Sequence, residues 1–195
     1  MDEKYRLRSF IIFLLIPKVN ESVANRKSIP SVLVLEIEFS LLYQVHGLTI
    51  EGCGNRLNEF GIHSLPAYGR SVAGDDFEIL SNGPGMWMVQ SRKRDSEFTL
   101  VRLRELLADT DATVTDLASA RLTVQVSGVS SRTFLKKGCP ADIDSLESGD
   151  VISSVIGHLG ATIHCMGDDF TVYVLQSFGT DFWEWCRLST MEFNM

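Results

Sequence analysis

One short segment, RLTVQVSG at 121–128, constrains the fold of this chain more than any other. Its apolar residues alternate with polar ones, so an extended chain would place Leu122, Val124 and Val126 on one side. LEIEF at 35–39 alternates in the same way. A period of two is typical of strands with one apolar and one polar face, which are common in antiparallel sheets. We therefore expect antiparallel sheet.

Turn residues link further strands into two predicted hairpins. SNGPG separates FEIL at 77–80 from MWMVQ at 86–90, and GDD interrupts ATIHCMGDDFTVYVL at 161–175. Glycine and aspartate favour the turns that join antiparallel strands. The second hairpin is expected to bury one face, formed by Ile163, Cys165, Val172 and Val174.

Three helices are predicted between and after these strands. The first follows Ser96, which can cap it, the second runs over 130–137, and the third, at 181–188, follows Thr180 as its N-cap. The apolar stripe of the first helix contains six residues: Phe98, Leu100, Val101, Leu103, Leu106 and Leu107. Together with the hairpins, these helices indicate an α+β fold with antiparallel sheet.

Composition bears on the kind of partner and on the compartment. The chain has 195 residues, a net charge of −7 and a pI of about 5.1. Phosphate binding needs a basic face, so this acidic balance argues against a nucleic-acid partner. The four cysteines form no Cys-x-x-Cys pair and are Cys53, Cys139, Cys165 and Cys186. This spacing is typical of reduced thiols in a cytoplasmic protein, with a secreted domain of two disulfides as the alternative.

The N-terminal segment contains a basic stretch followed by an apolar run, Phe10 to Ile16. This run is much shorter than the roughly 20 residues that span a bilayer, so we expect no membrane association. It is at the lower limit for a signal peptide, and Lys18 follows it where no small-residue cleavage site does. We interpret 1–40 as an extension of uncertain order, in which the apolar run forms a buried strand or a poorly ordered segment. The main domain is then 41–195.

The segment FLKKGCPADI at 134–143 raises the question of a reactive thiol. Gly138 would follow the last helical residue, where a left-handed conformation is easiest for glycine, and Pro140 would stop the helix. Two lysines near Cys139 favour a thiolate, but the negative end of the helix dipole disfavours it. We favour a helix-ending turn, with a reactive Cys139 as the alternative.

Other motifs of enzymes are incomplete in this chain. GCGNRL has Leu57 where a dinucleotide-binding motif needs its third glycine, and GPGMW lacks the Gly-Lys-Ser/Thr of a phosphate loop. His164 and Cys165 would point to opposite faces of a strand, and no histidine or cysteine spacing is typical of a metal site. Loop aspartates are more typical of turns than of acid–base pairs. We therefore predict no catalytic, cofactor-binding or metal-binding residue.

The segment FWEWC places two tryptophans close together on the last helix. Trp183 and Trp185 differ by about 200° around a helix, so one narrow core cannot easily accept both. Either one ring packs inside and the other contacts a partner, or the helix is covered on both sides and both rings are core.

These C-terminal motifs resemble the gamma subunit of heterotetrameric sarcosine oxidase. That family has Leu-Ala-Lys-Gly-Cys-Pro-Leu-Asp-Leu-His after a strand that ends in Ser-Gly, and this chain matches it at Leu135, Lys137, Gly138, Cys139, Pro140 and Asp142. The family closes with Arg-Ser-Phe-Ala, a spacer and Trp-Glu-Trp, matched here at Ser177, Phe178, Trp183, Glu184 and Trp185. A Gly-Pro-x-x-Trp motif is matched at Gly83, Pro84 and Trp87. The chain departs from the family at Ala141, Asp144 and Gln176.

The resemblance covers about residues 45–190 and implies a fold. It implies ferredoxin-like halves with antiparallel sheet, similar to the folate-binding domain of aminomethyltransferases, with halves of about 41–118 and 119–195. It offers no catalytic residue to carry over. The residues that it suggests for structural or interface roles are Gly138, Cys139, Pro140, Asp142, Phe178, Trp183, Glu184 and Trp185.

The resemblance also implies a function as part of a complex of alpha, beta, gamma and delta subunits. Such a complex oxidatively demethylates sarcosine to glycine and reduces oxygen to hydrogen peroxide. The methyl carbon leaves as formaldehyde or passes to tetrahydrofolate, and FAD, FMN, NAD and zinc belong to the other subunits. The alternatives are a stand-alone folate-binding aminomethyltransferase-like protein, a subunit of a related N-methyl amino acid dehydrogenase, and a redox-active thiol protein that depends on Cys139 alone.

Overall fold

The computed structural model describes residues 31–47, 58, 63–74, 77–91 and 100–193. Within these ranges, ten strands pair into two five-stranded antiparallel sheets. In chain order the strands are β1 (Leu33–Glu36), β2 (Leu41–His46), β3 (Ser71–Ala73), β4 (Glu78–Gly83), β5 (Met86–Ser91), β6 (Thr113–Asp116), β7 (Arg121–Ser127), β8 (Val151–Ile156), β9 (Leu159–Met166) and β10 (Asp169–Leu175). The α-helices of the described residues are α1 (Leu100–Leu106), α2 (Ser131–Lys136) and α3 (Gly179–Thr190).

Sheet I has the strand order β1-β7-β10-β9-β8, and sheet II has the order β3-β4-β5-β2-β6. Both predicted hairpins are present: Leu80 of β4 is opposite Met88 of β5, and Cys165 of β9 is opposite Phe170 of β10. The predicted α+β class with antiparallel sheet is therefore confirmed. Ferredoxin-like halves are not confirmed, since β8, β9 and β10 follow one another as neighbouring strands with no helix between them.

One face of sheet I packs against α2 and α3 and forms an apolar core. Phe134 of α2 and Phe182 of α3 are fully buried against it. The strand residues in this core are Leu122, Val124, Val126, Ile156, Ala161, Ile163, Cys165, Phe170, Val172 and Val174. They include every residue that the alternating pattern placed on the apolar sides of β7 and of the second hairpin, so that prediction is confirmed.

Sheet II packs one of its faces against α1. Leu103 and Leu107 are buried there together with Trp87 of β5. The stripe predicted for this helix was too wide, because Val101 is 65% exposed. A helix that rests on a single sheet buries only the side that faces the sheet.

The remaining faces of the two sheets meet in what we call the inter-sheet layer. Leu42, Leu80 and Met88 of sheet II pack there against Val151 and Tyr173 of sheet I. A main-chain hydrogen bond also joins the two sheets. Val151 N of β8 donates to the carbonyl of Gly69, just before β3 (2.8 Å). The order of layers is therefore α2 and α3, sheet I, sheet II and α1.

Several predicted boundaries shift in the structure. The third helix begins at Gly179 after a short 3-10 turn over 176–178, so Thr180 lies inside the helix and is not its cap. β1 begins two residues before LEIEF and ends at Glu36. It lies within the segment interpreted as an extension, and its Val34 pairs with Val126 of β7. The change from sheet II to sheet I falls between β6 and β7, while the proposed domain halves remain a prediction.

Some predictions fall outside the described residues. They concern the apolar run from Phe10 to Ile16, the GCGNRL segment and the Ser96 cap. Among the residues that are described, no helix combines the length and the apolar character needed to cross a membrane.

Candidate functional site

The turn after α2 contains the segment that raised the question of a reactive thiol. The helix ends in right-handed conformation at Lys137, and Cys139 N donates to the carbonyl of Leu135 (2.9 Å). The expected left-handed conformation of Gly138 is wrong, because its φ is not positive. The glycine is required for a different reason: a Cβ atom at this position would lie 2.5 Å from Cζ2 of Trp185.

Trp185 is held in a close-fitting site that we call the indole seat, formed by Phe134, Gly138, Gly157 and Phe182. The ring centroid of Trp185 lies 5.0 Å from that of Phe134 and 6.0 Å from that of Phe182. A Cβ atom on Gly157 would lie 2.6 Å from Cδ1 of the indole, and the positive φ of this residue (55°) also favours glycine. Gly138 and Trp185 are far apart in sequence, and their contact packs the turn after α2 against α3.

The other residues of the turn have structural contacts. Cys139 is 5% exposed, and its thiol donates to Ser154 Oγ (3.5 Å). The side chain of Asp142 accepts a hydrogen bond from Ser145 N (3.4 Å), which caps a short 3-10 turn over 143–145. Pro140 is exposed immediately before this turn. The contacts of Cys139 and Asp142 account for their local packing without a chemical step.

Asp144 forms an ion pair with Lys136 of α2 (2.7 Å). The family that the sequence resembles often has histidine at this position. Both side chains are exposed, so the pair contributes little to stability. Its position joins the 3-10 turn to the last turn of the helix.

The remaining candidates lie on or beside α3. Phe178 is 42% exposed just before the helix, and Trp183 is half-buried with its ring centroid 6.4 Å from that of Phe182. Glu184 pairs with Arg187 (2.6 Å), and this hydrogen-bonded arginine lowers the pKa of the Glu184 carboxyl. With 3.6 residues per turn, Trp183 and Trp185 flank the buried side of the helix on opposite edges. Both rings contact Phe182, and neither is fully buried.

A buried polar row crosses the inter-sheet layer, and sequence reasoning missed it. Tyr173 donates from its hydroxyl to Gln90 Oε1, and Gln90 Nε2 donates to Glu78 Oε2 (2.9 Å). Glu78 Oε1 lies 3.3 Å from Nε2 of His164. The alternation of β9 and β10 indicated a polar side for these strands, but it gave no signal of what would cover that side.

His164 is the one member of this row whose partners resemble a catalytic relay. Ser71 Oγ lies 3.0 Å from its Nε2, the same nitrogen that faces Glu78. A relay of serine, histidine and carboxylate uses both ring nitrogens, whereas Nδ1 of His164 is buried without a hydrogen-bond partner. Burial lowers the pKa of His164 more than the charge of Glu78 raises it, so the ring is neutral near pH 7. The arrangement of Ser71, His164 and Glu78 is therefore not that of such a relay.

The described residues also bear on metal binding. Among them, no three histidine, cysteine, aspartate or glutamate side chains are grouped so that they could hold a metal ion. His164 and Cys165 point to opposite faces of β9, as predicted: His164 contacts Glu78 in the inter-sheet layer, and Cys165 lies in the core beneath α2 and α3. Cys186 on α3 is buried, which raises the pKa of its thiol far above the ordinary value.

Comparison with known proteins identifies the class of fold. No family model and no curated protein matches this chain, but 28 chains of solved structures do. One belongs to the heterotetrameric sarcosine oxidase from Corynebacterium sp. U-96, in complex with pyrrole 2-carboxylate; it is 18% identical, with a TM-score of 0.74. The alignment covers 84% of this chain and 86% of that one.

Another match is the glycine cleavage system aminomethyltransferase T from Bartonella henselae. It is 14% identical with a TM-score of 0.62, and the alignment covers 80% of this chain but 45% of that one. The chain therefore spans less than half of the aminomethyltransferase. At these identities the similarity establishes the fold, which this chain shares with a sarcosine oxidase chain and with part of an aminomethyltransferase.

Proposed function

We propose that this chain is the small gamma-type subunit of a heterotetrameric sarcosine oxidase and that it has no catalytic residue of its own. One observation carries the proposal: the alignment with the sarcosine oxidase chain covers nearly equal shares of both chains, 84% and 86%. The two chains are therefore similar in length. The 45% coverage of the aminomethyltransferase gives less support to a stand-alone enzyme of that kind.

The packing of the C-terminal motifs supports the same proposal. Gly138 belongs to the first motif that resembles the gamma subunits, and Trp185 belongs to the second. The two residues are far apart in sequence but touch in the indole seat. Contact between them gives a physical reason for both motifs to occur in one family, and that reason is structural.

The proposal assigns the chemistry to other chains. The alpha, beta and delta subunits would be the partners, and they would hold FAD, FMN, NAD and zinc. The complex would oxidise sarcosine to glycine in the cytoplasm, with formaldehyde or methylene-tetrahydrofolate as the one-carbon product. A related complex that oxidises another N-methyl amino acid would use the same assembly.

Within this proposal, Trp183 is the docking anchor for a large flavoprotein subunit. Trp185 is already enclosed by Phe134, Phe182 and two glycines, while Trp183 is a half-buried ring at the edge of the helix. Tryptophan is enriched among the residues that dominate the binding energy of interfaces. A ring that remains partly accessible can supply such a contact without unfolding the subunit.

The proposal is tested by co-expression of the full chain, carrying an affinity tag, with alpha-, beta- and delta-type subunits of a sarcosine oxidase from the same organism. We expect all four chains to purify together in equal amounts and to show sarcosine-dependent peroxide production. The tagged chain purified alone from a folded preparation, with the other subunits in the flow-through, would overturn the proposal.

Matched tryptophan variants test the docking role. Trp183→Ala is expected to lower the melting temperature less than Trp185→Ala does but to lose the partners in the same purification, with a cost of at least about 2 kcal/mol in binding. Trp185→Ala is expected to lower the melting temperature strongly, because it empties the indole seat between Phe134 and Phe182, and cutting a core aromatic ring to alanine costs up to about 3–5 kcal/mol of stability. If Trp183→Ala folds and assembles normally, the docking surface lies elsewhere.

A further inference from the structure

A pocket of about 430 Å³ opens beside the start of β7, and the proposed function assigns no role to the residues that line it. We call it the Arg121 pocket. One wall is the segment from β1 to β2, with Glu36, Glu38 and Phe39, and the other contains Ser119, Arg121 and Gln176. Its volume falls in the range of about 300–1,000 Å³ that is typical of small-molecule sites.

Main-chain hydrogen bonds fix both walls. Ile37 N donates to the carbonyl of Thr123 (2.9 Å), which ties the segment after β1 to β7. Gln176 N donates to the carbonyl of Ala120 (2.9 Å), which ties the end of β10 to the start of β7. The pocket is therefore formed by backbone that belongs to sheet I and its immediate connections.

Arg121 is the unusual residue of this pocket. Its Nε is buried and has no hydrogen-bond partner, and its guanidinium forms no ion pair with any described carboxylate. Burial lowers the pKa of this guanidinium. The side chain as a whole is half-buried, so its charge is partly desolvated, and a carboxylate that hydrogen-bonds to the guanidinium would offset that cost.

The two glutamates limit which anion can enter. Burial, and then the neighbouring charge of Glu38, raise the pKa of the Glu36 carboxyl. Neither glutamate has an ion-pair partner among the described residues. Two carboxylates against one guanidinium make the pocket net negative, which disfavours phosphates and dicarboxylates. The two glutamates instead favour a ligand that carries a positive group as well as a carboxylate.

We propose that the Arg121 pocket binds a small zwitterion, with the ligand carboxylate on Arg121 and the ligand ammonium group on Glu36 or Glu38. Gln176 and Ser119 supply further polar groups, and Phe39 supplies an apolar wall that a short methylene chain would contact. This inference does not rest on the proposed subunit function, since the pocket is made by this chain alone.

The test is titration calorimetry of the full chain with a series of zwitterions of increasing length: glycine, β-alanine, γ-aminobutyrate and ε-aminocaproate. We expect at least one to bind saturably, and acetate and methylammonium to bind at least about tenfold more weakly, because each meets only half of the site. No saturable heat from any zwitterion up to about 10 mM, or equal binding of acetate, would overturn the proposal.

Substitutions in the pocket test whether the zwitterion binds there. Arg121→Gln and Glu36→Gln should each weaken the best zwitterion at least about tenfold, while the control Arg187→Gln, at an exposed arginine outside the pocket, should bind it unchanged. Each variant is checked for a cooperative thermal transition, and Glu38→Gln replaces any variant that does not fold. Unchanged affinity in the folded pocket variants would contradict the assignment, whatever the outcome of the subunit purification.

Discussion

Both faces of sheet I are covered, but one is apolar and the other also contains buried polar side chains. Toward α2 and α3 the sheet presents aliphatic residues that surround Phe134 and Phe182. Toward sheet II it presents Tyr173 and His164, which hydrogen-bond or face polar side chains of sheet II. The first face is held by close packing alone, and the second combines the apolar residues of the inter-sheet layer with hydrogen bonds between buried polar side chains.

The contrast between the faces shows what alternation in a strand can and cannot indicate. The polar residues of β9 and β10 were expected on a half-exposed face, yet Thr171, Tyr173 and His164 are almost completely buried. A second sheet covers them and supplies Gln90 and Glu78 as partners. A polar side of a strand therefore indicates hydrogen-bonding surroundings and not exposure to water.

The largest expected effect tests the apolar face. Phe134→Ala should cost about 3–5 kcal/mol of the free energy of unfolding, because it removes a fully buried ring that also supports Trp185. Urea unfolding followed by circular dichroism measures the loss. The control is Val129→Ala at a residue that is 95% exposed, which should change stability little. A similar small loss in both variants would contradict the importance of this packing.

An intermediate effect tests the indole seat. Gly138→Ala should cost about 1–3 kcal/mol, because the new methyl group would overlap the Trp185 ring or push it out. Gly160→Ala is the matched control, since a Cβ atom there meets nothing within 4 Å. Thermal melting and tryptophan fluorescence of both variants report stability and the position of the indole. Equal melting temperatures for the two variants would show that the indole seat has room for a methyl group at residue 138.

The smallest expected effect tests the polar face through its dependence on pH. The folded-state pKa of His164 is lowered below its ordinary value of 6.5, so the unfolded chain binds a proton more readily. This residue therefore makes stability fall as the pH drops below about 6.5, down to its folded-state pKa. In His164→Gln, the decrease in urea midpoint between about pH 7.5 and 5.5 should be smaller than in the wild type. An unchanged decrease would assign the pH dependence to other groups.

The predictable parts of the fold were those that depend on neighbours in sequence. The sides of β7 and the hairpin from Ala161 to Leu175 follow from alternation and from turn residues, so local sequence patterns were enough to predict them. The role of Gly138 could not be predicted in this way, because the reason for a glycine there is a ring that arrives from α3. A C-terminal turn and a close approach both favour glycine, and sequence alone does not separate them.

Local sequence patterns did not predict the candidate sites either. Arg121 was the first residue of an alternating strand, with no sign that its side chain would enter a pocket beside Glu36 and Glu38. Strand pairing between β1 and β7 brings these charges to one place. Such pairing depends on contacts that are distant in sequence, so neither the pocket nor the polar row could be predicted from local patterns.

The proposal that this chain acts through contact with partners, and not through chemistry of its own, is open to one direct measurement. The purified, folded chain is assayed alone for visible flavin absorbance and for peroxide production with sarcosine, and then again after addition of the alpha, beta and delta subunits. We expect a colourless, inactive chain that becomes part of an active complex. A bound flavin, or sarcosine-dependent peroxide from the chain alone, would contradict the proposal.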